Sequence, residues 1–290
     1  MAKQLRDLLN DAQAKGTAVG HFNVSDLAIL KAVVAGARDT KAPVIVGASE
    51  GERKYMGTRQ LAALIRSLRD ETDVPIFLDA DHTHSLLSAL DAAKAGFDSI
   101  VFDLSALPFE ENIKQTRQAV EALKGINPAI IIEGEIGDIG TGSQIHETAS
   151  ETGGVLTTAE EARHFVQATG VDALAPAVGN RHGMSRSMVE GSSRKHLDLA
   201  RIAEIKAAAG CFLTLHGGSG TEDKDFVGAI HAGINVIHVN TELRVAWRHG
   251  LEKGLAADTS EVVPYKILPD AVAAVEDVVK SRLRLFSGSP

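Results

Sequence analysis

Eight short apolar runs, each followed by a helix-like segment, constrain this chain more than any other feature. They are residues 18–24 (AVGHFNV), 43–49 (PVIVGAS), 75–82 (PIFLDADH), 99–105 (SIVFDLS), 129–137 (AIIIEGEIG), 173–179 (ALAPAVG), 212–218 (FLTLHGG) and 236–241 (VIHVNT). Several are continuously apolar, as expected of strands buried on both faces of a parallel sheet. The segments between them carry helical stripes: Leu27, Leu30, Val33 and Val34 within 26–37, and Leu86, Leu87, Leu90 and Ala93 within 85–95. Ser25 and Thr158 read as N-caps, Gly96 and Gly210 as helix ends. Eight strand–helix alternations in 290 residues predict a single (β/α)8 TIM barrel over residues 1–290, with a doubly wound open sheet as the alternative.

Composition narrows the function classes. With 44% apolar and 23% charged residues, the chain can bury a core large enough to offset ordering entropy. The longest apolar stretches, such as 129–132, are strand-sized, far below the ~20 residues of a membrane span. The first residues, MAKQLRDLLNDAQ, lack an apolar signal core, so the expected location is cytoplasmic with no membrane partner. A single cysteine, Cys211, excludes an intramolecular disulfide framework and a cysteine-based zinc cluster. Thirty Lys plus Arg against 38 Asp plus Glu give a net charge of −8, which argues against a nucleic-acid partner. Phosphorylated small molecules stay compatible, because backbone N–H groups bind phosphate whatever the net charge.

Barrel active sites form at the C-terminal strand ends. Polar residues close nearly every run here: Asn23, Ser49, Asp81 with His82, Asp103, Glu135, His216 and Thr241, with His182 just past the sixth run. His82, His182 and His216 are far apart along the chain, so only the barrel could unite them. Three imidazoles and an open position describe a catalytic zinc site; the other histidines read as structural. Asp81 reads as a general acid/base or as a carboxylate orienting a ligand. Glu133 and Glu135 share one strand face; Glu135 reads as a ligand, an acceptor behind a ligand, or a salt-bridge partner. The run HGGSG (216–220), followed by HVNTEL (238–243) at the eighth strand, fits the phosphate site that barrels build after strands seven and eight. None of the eight runs contains lysine, so a Schiff base is not expected and a metal takes the electrophilic role. The Gly/Ser/Thr-rich stretch 139–156 reads as a functional or mobile loop.

Taken together, AQAKGTAVGHFNVSDLAIL, APVIVGASEGERKYMG, DADHTHS, FDLSALPFEENI, EGEIGDIG, VGNRHG, LHGGSG and NTEL resemble the class II, metal-dependent, ketose-bisphosphate aldolases that cleave fructose or tagatose 1,6-bisphosphate. The resemblance implies zinc, or another divalent metal, on His82, His182 and His216, with Asp103 and Glu135 at positions that bind metal in an alternative or second site. It implies Asp81 as the acid/base on the hydroxyl of the cleaved bond. Asn23 and Ser49 would touch substrate. Gly183, Gly217, Gly218, Ser219, His238, Asn240 and Thr241 would surround the phosphate, with a monovalent cation nearby. It further implies reversible cleavage through an enediolate, a homodimer or homotetramer, and a place in glycolysis and carbohydrate metabolism.

The chain also departs from the family pattern. Thr83 and His84 follow the first histidine where the family has Gly. Val236 and His238 replace the Lys and Asn of KxN. GTGSQIHE replaces GGxED, leaving His146 and Glu147 as displaced candidates for the donor-carbon proton transfer. A DPR-like segment is missing, leaving Arg181, Arg186 and Arg244 as candidates for the far phosphate. These departures motivate a rival of another class, a non-catalytic sugar-phosphate-binding barrel.

Overall fold

The computed structural model describes residues 4–140, 142–147 and 154–288. Its strands are β1 (Val19–Asn23), β2 (Val44–Ala48), β3 (Ile76–Thr83), β4 (Ser99–Phe102), β5 (Ile131–Ile136), β6 (Ile145–His146), β7 (Ala173–Pro176), β8 (Met184–Ser185), β9 (Phe212–Leu215) and β10 (Ile234–Val239). Eight of them close an all-parallel barrel in the order β1-β10-β9-β7-β5-β4-β3-β2, while β6 and β8 pair apart from it. The open-sheet alternative is thereby excluded. Each barrel strand overlaps its apolar run, and helices join successive strands.

Helix boundaries follow local chemistry. Thr158 caps Ala159–Thr169 through a reciprocal box with Glu161, and Gly96 and Gly210 end their helices in left-handed conformations. Ser25 does not cap the helix Leu27–Thr40. Asp26 does, its carboxylate accepting from the Ile29 N–H. The helix starts one residue later than expected, and the carboxylate is then the side chain at N-cap geometry.

Helices and barrel share one apolar layer, in which Phe22, Leu30, Val33, Leu78, Ile100, Phe165 and Val279 are fully or almost fully buried. Inside the barrel, inward residues fall in layers two apart along each strand. The lowest layer is apolar: Val19, Ile45, Phe77, Ile131, Ala173, Phe212 and Val236 pack with Leu5, Leu8 and Leu9 of the helix Leu5–Lys15. That helix plugs the N-terminal mouth. The middle layer is polar: His21 bonds Asp79 at 3.1 Å, Ser99 donates to Asp79 at 2.6 Å, and Thr214 donates to Glu133. The top layer opens at the C-terminal mouth.

Among the described residues, no helix is long and apolar enough to cross a membrane.

Candidate active site

A break in strand regularity builds the centre of the mouth. Neighbouring residues of a regular strand point to opposite faces. The β3–β4 register slips between Ala80 and Thr83, and His82 adopts a left-handed backbone with φ of 39°. Asp81 and His82 therefore both line the same cavity. A left-handed histidine costs about 1–3 kcal/mol and persists only where its surroundings hold it. Here Asp103 accepts from His82 Nδ1 at 2.8 Å, and the neighbouring Thr83 hydroxyl accepts from buried Arg53 at 3.0 Å.

The three distant histidines converge. Ring centroids lie 4.7 Å apart for His82–His182, 4.8 Å for His82–His216 and 5.8 Å for His182–His216. Outer hydrogen bonds fix the tautomers. With Nδ1–H donated to Asp103, His82 leaves Nε2 free. His216 Nε2 bonds Glu133 at 2.7 Å, which turns its Nδ1 inward to face His82 Nε2 at 3.2 Å. His182 Nε2 and Glu135 Oε2 are buried without a hydrogen-bond partner among the described residues. Buried polar atoms left unpaired are costly. His82, Glu135, His182 and His216 each offer a donor atom, all within 4.8 Å of one another. Three nitrogens and a carboxylate gathered this closely suit a divalent metal.

Electrostatics agree with that fit. Burial, with the neighbouring His82, pulls His182 well below the ordinary histidine pKa and His216 down to about 3, so both rings are neutral donors. Burial also disfavours charge on His82, but Asp81, Asp103 and Glu135 outweigh it and raise its pKa well above the usual value. Burial pushes Glu133 and Glu135 each up to about 8.

Asp81 lies beside the histidines, its Oδ1 3.8 Å from His82 Nε2 and 3.4 Å from His238 Nδ1. Asn23 donates to its Oδ2 at 2.8 Å and to Glu52 at 2.9 Å. Burial alone would raise the Asp81 pKa, yet His82, His238 and His21 hold it well below the ordinary carboxylate range. It is a buried, ionised carboxylate fixed by an amide.

Backbone groups form the other wall. Asn23, Asp81, His82, Ser143, His182, Gly183, Gly217, Ser219, His238, Asn240 and Thr241 line one narrow cavity. The helix Thr241–Ala257 starts there with its dipole directed at the cavity, and the Ser219 hydroxyl accepts from the Asn240 and Glu242 N–H groups at 3.3 and 3.2 Å. Gly217 sits at φ 59°, and an added Cβ would lie 2.3 Å from the Arg181 carbonyl oxygen. Gly217→Ala is therefore expected to destabilise the fold by about 1–3 kcal/mol and to push the 181–182 turn outward, raising KM. Unchanged melting and kinetics would refute this geometry.

Not every expected residue reaches the cavity. Ser49 is tied into a cap with Glu52, its hydroxyl 2.9 Å from that carboxylate. The Gly218 N–H is taken by the His238 carbonyl at 3.1 Å, so it is not free for phosphate. Asp103 stands behind His82, outside the donor group. Glu147 is exposed and pairs with Arg186 at 2.8 Å. His146 is closer, against Gly183, where an added Cβ would meet its Nε2 at 2.5 Å. The stretch 139–156 is pinned at its start by His182 N–H to Ile139 (3.0 Å) and Met184 N–H to Gln144 (3.0 Å); residues 141 and 148–153 lie outside the described residues.

Several site residues were not anticipated. His21 and Asp79 support the floor; Glu52 joins Asn23 to Arg244, which bonds it at 2.7 Å. Lys195 is buried, its Nζ donating to the carbonyls of Arg181, Gly183, Gly217 and Ser219 at 2.6, 2.6, 2.9 and 2.6 Å. Burial brings its pKa down to about 8, and four acceptors favour the charged form at neutral pH. The period-two alternation running down from Asn23, Asp81 and Glu135 points to His21, Asp79 and Glu133. Lys195 has no such signal.

The family model described as fructose-bisphosphate aldolase class-II matches residues 3–289. The chain belongs to the class II fructose-bisphosphate aldolase family. It is 34% identical over 301 residues to a fructose-bisphosphate aldolase of Thermus caldophilus, covering 97% of this chain and 96% of that one. It is 32% identical over 290 residues to a fructose-bisphosphate aldolase of Staphylococcus aureus strain Mu50, covering 98% and 97%. Among solved structures, the YdjI aldolase of Escherichia coli K12 superposes with a TM-score of 0.79 at 27% identity, over 99% of this chain and 97% of that one. Membership makes this aldolase-family barrel a lyase, and the family is metal-dependent with phosphorylated sugar substrates.

Proposed function

We propose that this protein is a zinc-dependent cytoplasmic aldolase that reversibly cleaves fructose 1,6-bisphosphate to dihydroxyacetone phosphate and glyceraldehyde 3-phosphate, acting in glycolysis as a homodimer or homotetramer. The observation that carries this reading is the meeting of His82, His182 and His216 beside an ionised Asp81. The non-catalytic rival loses ground to it, because a binding module has no use for that juxtaposition.

His82, His182 and His216 would hold the metal, with Glu135 as a further donor. A divalent cation bound there would polarise the substrate carbonyl and stabilise the charge that develops when the C–C bond breaks. Asp103 and Glu133 orient His82 and His216 by hydrogen bonding. Asp81, aimed by Asn23, takes the proton of the C4 hydroxyl in cleavage and returns it in condensation. Gly183, Gly217, Ser219, Asn240 and Thr241 surround the donor phosphate, and the N-terminus of Thr241–Ala257 offsets its charge. His238, stacked on His216 at 4.0 Å, contacts Asp81 where the family pattern has an asparagine. The remaining cavity wall leads past Glu52 to a groove lined by Tyr55, Arg244 and Arg248, which suits the far phosphate.

A side-by-side assay of fructose and tagatose 1,6-bisphosphate cleavage tests the substrate. Faster cleavage of the fructose ester is expected. Preference for the tagatose ester would reassign the sugar, and no turnover of either by zinc-loaded protein that still binds dihydroxyacetone phosphate would restore the binding-barrel reading.

A further inference from the structure

Two turns of separate strands carry the chemistry: 181–183, with His182 and Gly183, and 216–219, with His216 and the glycines. Both direct backbone carbonyls inward at one spot. Four such oxygens, from Arg181, Gly183, Gly217 and Ser219, surround the Lys195 ammonium. Carbonyl dipoles converging on one point repel each other unless a positive charge sits among them. An ammonium has only three protons for these four acceptors, so the arrangement resembles the coordination of a spherical ion more than a set of paired hydrogen bonds. Lys195 enters from a connecting segment anchored by its own backbone: its N–H bonds Gly220 at 2.9 Å, and it bridges to Thr221.

We infer that Lys195 is a tethered monovalent cation, a positioning residue whose ammonium holds the 181–183 and 217–219 turns in register and removes any need for a free sodium or potassium ion at this cage. The inference deepens the aldolase reading and rests on it for the part played by the two turns. The charge is delivered by the chain, so the expected monovalent cation beside the phosphate is not a separate cofactor here. Its loss would separate the Gly183 and Gly217 walls of the substrate cavity while leaving the imidazoles of the metal group in the chain.

The experiment compares wild type, Lys195→Ala and Lys195→Met in tetramethylammonium, potassium and ammonium chloride at equal ionic strength. Tetramethylammonium is too large for the cage and serves as the control. Wild-type kcat/KM and melting temperature are expected to be the same in all three. Lys195→Ala opens the cage; in tetramethylammonium it is expected to lose roughly 10- to 100-fold in kcat/KM, the scale of hydrogen bonds to a charged group, chiefly through KM. Potassium or ammonium should restore activity saturably and raise the melting temperature in parallel. Lys195→Met fills the space without charge and should stay impaired in every salt.

A wild type that loses activity when sodium and potassium are withheld would overturn the inference. So would an alanine variant indifferent to the salts, or one that fails to fold in any of them. The melting measurements need no sugar substrate. Cation-dependent melting of Lys195→Ala, alongside a wild type that cleaves no ketose bisphosphate, would leave the tethered cation standing and sink the aldolase reading.

Discussion

Asp81→Ala is expected to keep its metal and its fold while losing ~10²–10⁴-fold in cleavage rate, the range for a positioned general acid/base. The carboxylate is buried, ionised, and held by Asn23 at 2.8 Å. Among the described residues, the other carboxylates beside the three histidines are less suited: Asp103 is engaged by His82 and Ser105, and burial favours the neutral form of Glu135. Deleting the Asp81 side chain removes the proton acceptor, but Asn23 keeps its bond to Glu52, so the wall should not collapse. The check is kcat measured on protein whose metal content and melting temperature have been confirmed. Near-normal turnover would assign the proton transfer to another group.

Exhaustive chelation is expected to abolish activity, and added zinc to restore it. Two buried atoms, His182 Nε2 and Glu135 Oε2, have no hydrogen-bond partner among the described residues. The pH dependence has a definite sign. Surrounding carboxylates outweigh burial and raise the His82 pKa well above the usual histidine value, so a proton competes for its Nε2 to higher pH than for an ordinary histidine. Ligation needs the free Nε2 lone pair, and metal and proton compete. Affinity should therefore rise with pH, by about tenfold per unit for each proton displaced, up to the His82 pKa. Chelator competition at pH 6, 7 and 8 measures the slope, and weak buffering would detect the released proton. Activity that survives complete chelation would rule out the metal centre.

The barrel was legible because burial on both faces makes its strands short apolar blocks, separated by helices that show one apolar stripe each. The converging histidines were legible because polar residues that end such blocks have no packing reason to be there. The same two-sided burial obscured the middle layer. His21 and Asp79 lie inside runs that read as apolar, and only their spacing of two from Asn23 and Asp81 marks them. Ser49 and Gly218 show the opposite situation. Sequence placed them near the substrate, but their polar groups are consumed locally, by Glu52 and by the His238 carbonyl. Lys195 leaves no signal in the strand pattern because it reaches the mouth from a connection. The bulge that aims His82 also leaves no compositional trace, since its left-handed residue is not a glycine.

The helix that seals the opposite mouth has a consequence for how such an enzyme can change. Leu5, Leu8, Leu9 and Phe77 form a cluster at the far end from the reacting groups, with a polar layer between. Substitutions at sites without shared partners combine almost independently. Selection, natural or in the laboratory, can thus harden the floor against heat and reshape the rim for a new sugar in separate steps, with neither search constraining the other.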